Sequence, residues 1–84
     1  MKIYVLHECI DSNDFYAESI VRLVTKNLDE AKDNMKKLYA ECLKGFESDE
    51  ISEDETWCEE LSASCVGNTF KYYRRNWQIE EFEV

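Results

Sequence analysis

Eighty-four residues leave room for one domain, and 44% hydrophobic with 13% aromatic content is too rich for a disordered chain. Nineteen acidic against ten basic residues give a net charge of −9. That balance argues against groove-type nucleic-acid binding, which neutralises phosphates, and against anionic membrane surfaces.

In chain order, residues 2–10 read as a first strand, with Ile3, Val5, His7 and Cys9 on one face and Tyr4, Leu6 and Ile10 on the other. Both faces are largely apolar, so this strand belongs inside a sheet. Asp11-Ser12-Asn13-Asp14 is a dense run of turn formers, and residues 15–24, with Ile20, Val21 and Val24, come next as a second strand. The two make an antiparallel hairpin. Asn27 is a good N-cap, and Glu30 stands where a capping box would reach back to it. Leu28, Ala31, Met35, Leu38 and Cys42, widened by Tyr39 and Leu43, then recur at helical spacing over residues 27–44. Gly45 suits a left-handed stop. Residues 47–55 read as an acidic, extended, solvated loop that only Ile51 could anchor. Strand character returns over residues 57–66, Gly67-Asn68 suits a two-residue turn, and residues 69–84 close the chain, with a break expected near 74–76. The expected architecture is α+β: ββαββ, an antiparallel sheet of about four strands with one helix on one face.

No apolar run approaches the roughly 20 residues of a membrane span, and Met1-Lys2 leads straight into a strand rather than a signal peptide. A cytoplasmic location is expected. Four cysteines, at 9, 42, 58 and 65, permit three pairings of two disulfides, but nothing else marks a secreted chain. Reduced, structural thiols are the expectation. Eleven aromatic residues exceed what one helix face can cover and a short open sheet has edges, so a homodimer is also expected.

The opening Met-Lys-Ile-Tyr-Val-Leu, the capped helix start Asn27-Leu28-Asp29-Glu30-Ala31 and the closing Trp77-Gln78-Ile79-Glu80-Glu81-Phe82-Glu83-Val84 resemble small acidic uncharacterised accessory proteins of phages and prophages. That resemblance implies a small sheet flanked by a helix and a mobile-element accessory role. Inhibition of a bacterial immune component falls within it. It supplies no catalytic residues.

Two stretches are candidates for function. Glu47, Asp49, Glu50, Glu53, Asp54 and Glu55 place six carboxylates in nine residues without a Lys or Arg. Such runs ordinarily only solubilise a loop. Their functional reading is a decoy that imitates a phosphate backbone and occupies a basic protein surface, with repulsion relieved as Lys or Arg approaches. The segment lacks the alternating spacing and central glycine of a calcium loop. Tyr72, Tyr73, Arg74, Arg75 and Trp77 form the other candidate, since arginine among aromatics can hold a nucleotide by stacking and bidentate hydrogen bonds. Ordinary sheet packing with cross-strand ion pairs is the competing account. On a strand, Tyr73, Arg75 and Trp77 share one face, opposite Tyr72 and Arg74. His7 and Cys9 point the same way but stand roughly 6–7 Å apart, too far for a catalytic pair, and no Cys-x-x-Cys knuckle suggests zinc. The sequence therefore points to a non-enzymatic interaction protein with no cofactor or metal. The alternative is a module that sequesters a small signalling nucleotide.

Overall fold

Two eleven-residue strands, β1 (Lys2–Ser12) and β5 (Tyr73–Glu83), form the middle of the sheet and pair antiparallel from Lys2↔Glu83 to Ser12↔Tyr73. A computed structural model describes residues 1–12, 16–45, 51–67 and 73–84. Outside β1 lies β2 (Tyr16–Thr25), and beyond β5 come β4 (Ser62–Gly67) and the two-residue β3 (Trp57–Cys58), giving the order β2-β1-β5-β4-β3. All pairings are antiparallel. Helix α1 (Leu28–Lys44) covers one face, so the fold is α+β with five strands rather than four.

The fifth strand arises where the sequence suggests one continuous run. Residues 57–66 fold back on themselves: Cys58 pairs with Ala63, and the Glu59 N–H donates to the Ser62 carbonyl at 2.8 Å. Glu59 and Glu60, both exposed, occupy the reversal, where solvent can reach two adjacent carboxylates. Gly67 is a strand residue opposite Tyr73, not the head of a two-residue turn, and Asn68 lies outside the described residues. No break interrupts residues 74–76, because β5 is paired on both sides there. The first hairpin forms as expected, with Asp11 and Ser12 extending β1 and residues 13–15 outside the described set.

Helix α1 keeps closely to the apolar period. Ala31, Met35 and Cys42 are buried, with Leu28, Leu38, Tyr39 and Leu43 packed around them. They meet Leu6, Ala63, Cys65, Trp77 and Ile79 from the sheet. Complete burial of a side chain such as Leu6 or Met35 contributes about 1.5–3 kcal/mol. Asn27 caps the helix, its Oδ1 accepting from the Asp29 N–H at 2.9 Å and the Glu30 N–H at 3.3 Å. The capping box is not reciprocal: the Asn27 N–H donates to Thr25 Oγ1 at 3.1 Å, leaving no role for Glu30. Gly45 stays right-handed (φ −75°, ψ −10°) and donates to the Cys42 and Leu43 carbonyls, so the helix ends by tightening rather than by a left-handed cap.

Candidate functional site

The acidic segment is described from Ile51 onward, while Glu47, Asp49 and Glu50 lie outside the described residues. Its second half is fastened to the sheet edge. Ile51 bridges to Gly67, the Ser52 N–H donates to the Val66 carbonyl at 2.9 Å, and the Val66 N–H donates to Thr56 Oγ1 at 3.1 Å. Both backbone polar groups of Val66 are thereby satisfied, which a buried edge residue requires. Between these anchors Glu53–Glu55 form a short 3-10 helix, closed by the Glu55 N–H to the Ser52 carbonyl at 3.2 Å. The expectation of an extended loop anchored by Ile51 alone is therefore corrected for this half. Ser52 and Thr56, small polar residues that sequence reasoning passed over, supply the missing anchors.

All three carboxylates of the turn are exposed. Glu55 Oε1 accepts from Arg74 at 3.3 Å across the edge. Neither Glu53 nor Asp54 has a cationic partner among the described residues. Glu59 and Glu60 lie exposed on the β3–β4 reversal, where Glu60 stands 3.9 Å from Lys32 of the helix. The edge thus presents unneutralised carboxylates on a backbone held by hydrogen bonds.

The arginine–aromatic stretch is divided rather than assembled. Tyr72 lies outside the described residues, and Tyr73 opens β5 between Gly67 and Ser12. Arg75 and Trp77 face the helix, whereas Arg74 lies on the opposite face and reaches Glu55, as strand alternation dictates. Trp77 is only 1% exposed, and its ring meets Tyr39 edge-on at 6.1 Å between centroids. An indole so placed cannot stack on a ligand base.

What it does instead went unread in the sequence. Trp77 Nε1 donates at 2.7 Å to Oε1 of Glu8, a carboxylate with no solvent exposure. Oε2 accepts from Arg22 Nε at 2.9 Å and from Arg22 Nη2, and Arg75 Nε stands 4.0 Å from Oε1. Arg22 reaches this carboxylate through a register change. Pairing steps from Leu6↔Leu23 to His7↔Val21, leaving Arg22 as the extra residue of a β-bulge that re-aims its side chain. With its lone pairs engaged by three donor groups, Glu8 is an internal counter-charge that orients its neighbours. The available signal was a lone carboxylate in an apolar strand.

On the open face, His7 Nε2 is 3.7 Å from Glu80 Oε1, while the Cys9 thiol sits 3.9 Å from Ser19 Oγ across the hairpin. Cys9 is thus turned to a hydroxyl, not to the imidazole. All four cysteines are free. Burial, then the hydrogen-bonded Cys65 thiol, pushes the Cys42 thiol from 9.0 up to about 12, so it stays protonated and unreactive at neutral pH. Burial, with a smaller contribution from nearby thiols, likewise raises the Tyr39 phenol. Among the described residues no group of three or more His, Cys, Asp and Glu could hold a metal ion, and no helix is long and apolar enough to cross a membrane.

Comparison with known proteins finds no matching family model, no matching curated protein and no matching solved structure.

Proposed function

We propose that this chain is a non-enzymatic interaction protein that binds a basic protein surface through its acidic edge. One observation carries the reading: Glu53 and Asp54 are exposed, with no cation beside them among the described residues, on a turn that Ser52 and Thr56 fasten to β4. Carboxylates held close together repel one another, and an approaching Lys or Arg relieves that repulsion while the long-range field speeds encounter. Holding the turn in place beforehand removes part of the ordering entropy that a loose loop would lose on binding. Glu47, Asp49 and Glu50 adjoin the turn in sequence and add to its charge. In keeping with the resemblance to phage and prophage accessory proteins, the partner class is a bacterial immune component with a basic groove, which the carboxylates occupy as a phosphate mimic.

The test is binding to an immobilised arginine-rich peptide, comparing two variants of equal charge. Glu53→Gln with Asp54→Asn removes the edge carboxylates, whereas Asp33→Asn with Glu41→Gln removes two from the exposed face of the helix. The edge variant is expected to lose binding and the helix variant to keep it. Raising salt from about 0.01 M to about 0.15 M shortens the screening length from about 30 Å to about 8 Å and should weaken the wild type. Equal losses in both variants would mean that only net charge matters and would remove the edge from the account.

A further inference from the structure

The sheet has a second face, opposite the helix, that no described residue covers over β2, β1 and the distal half of β5. Val21, Val24 and Phe82 are exposed there by 55%, 58% and 43%. They adjoin the half-buried Ile3 and Val5, because Ile3 pairs with Phe82 and Val5 with Val24. Trp57, opposite Ser64 and 41% exposed, stands on the same face at its far edge. The result is a continuous apolar patch across three strands.

Charge is nearly absent from it. Of the twenty-nine charged residues in the chain, alternation brings only Asp11, Arg74 and Glu80 to this face among the described strand residues. Arg74 is bonded to Glu55, and Glu80 stands beside His7. In a chain of net charge −9, this is the surface where two copies can meet with least like-charge repulsion.

The sheet edges are poor substitutes. On β2, the bulge at Arg22 breaks the regular ladder and Glu18 adds an exposed charge, whereas β3 is two residues long. Both are devices that blunt edge-to-edge pairing. The face is of modest size. Three strands about 4.8 Å apart and about ten residues long at about 3.3 Å each span about 14 by 33 Å, or about 480 Å². Two such faces bury about 950 Å² together, close to the roughly 1,000 Å² at which specific interfaces begin.

We propose that two copies of this chain pack their open sheet faces together around a two-fold axis, burying Val21, Val24 and Phe82 of each. This assignment rests on the sheet face alone and is independent of the acidic edge. Face-to-face packing gives a sandwich with a helix on each outer side, and a self-complementary patch is what a two-fold interface requires.

Light scattering on the full chain tests it. The wild type is expected at twice the 10.0 kDa of one chain, falling to that value on dilution. Val21→Arg with Val24→Arg should give a single-chain mass with unchanged helical circular dichroism. Should that double variant unfold, Phe82→Ser decides: dissociation is expected to rise at least about tenfold, since two phenylalanines per dimer lose their burial. Leu61→Ser, at a residue 48% exposed on the helix side of the sheet, should leave the dimer intact. A single-chain mass for the wild type at about 100 μM would overturn the proposal. So would a dimer that survives Phe82→Ser but not Leu61→Ser.

Discussion

Replacing Glu8 with alanine withdraws the only fully buried carboxylate among the described residues and takes the acceptor from Trp77 and the counter-charge from two arginines. Trp77 Nε1, 2.7 Å from that carboxylate, would be left under the helix with no acceptor, which costs about 1–3 kcal/mol for a buried donor. Arg75, 28% exposed, would lose the Glu8 counter-charge 4.0 Å away, whereas Arg22, at 38%, can turn to solvent and contributes less. Breaking one partner out of a buried ion pair costs about 3–5 kcal/mol, and that range brackets the expected loss. A domain of 84 residues has about 4–13 kcal/mol in total, so Glu8→Ala should consume a large share of it. Urea unfolding monitored by far-ultraviolet circular dichroism and tryptophan emission gives the value directly. Trp77→Phe serves as the companion variant. It keeps the ring against Tyr39 but removes the donor, and should lose less than Glu8→Ala because the arginines remain paired. A Glu8→Ala protein within about 1 kcal/mol of wild type would refute the buried counter-charge, since that is what a surface ion pair is worth.

Two further perturbations read other parts of the fold. Asn27→Ala removes the oxygen that accepts from the Asp29 and Glu30 N–H groups, and should destabilise the protein by about 1 kcal/mol in the same urea assay. At alkaline pH, Cys42 ionises near 9.0 when unfolded but only at about 12 when folded, so the folded state holds the extra proton between those values. Stability from this group is complete below pH 9 and falls by about 1.4 kcal/mol per pH unit up to about pH 12. Cys42→Ala should give a shallower alkaline decline than wild type, and parallel curves would show that the thiol is not responsible.

The parts legible in the sequence are those governed by local chemistry. A five-membered apolar stripe with an asparagine before it specified α1 to within a residue, because both period and cap are encoded within seventeen positions. The first hairpin was legible for the same reason. Reading failed where distant strands decide. Nothing local reveals that Ser52 and Thr56 would satisfy Val66, since that need arises only once β4 stands at the edge. Likewise the division of Arg74 from Arg75 comes from alternation, but the burial of Trp77 depends on where the helix lies. Glu8 was the hardest case. A carboxylate in an apolar strand is tolerable only if cations reach it, and the cation from β2 arrives through a bulge that no local pattern announces.

Charge in this molecule is sorted by the same alternation that builds its core, and the sorting separates the acidic edge from the open sheet face. Positions turned away from the helix along β1 and β2 are apolar or neutral over most of their length, so the described acidic residues concentrate on the helix exterior, the end of β5, the β3–β4 reversal and the edge turn. On the two proposals, salt should therefore act on these surfaces with opposite sign. Screening weakens an edge that works by attraction to a cationic partner, and it relieves the mutual repulsion of two chains that each carry −9. A single salt series that reads peptide binding and mass together should show one falling as the other rises. If both fell together, the open face would be held by charge, contrary to the three charged residues that alternation places there. Apolar burial, which added salt does not screen, is what the proposed pairing of sheet faces relies on.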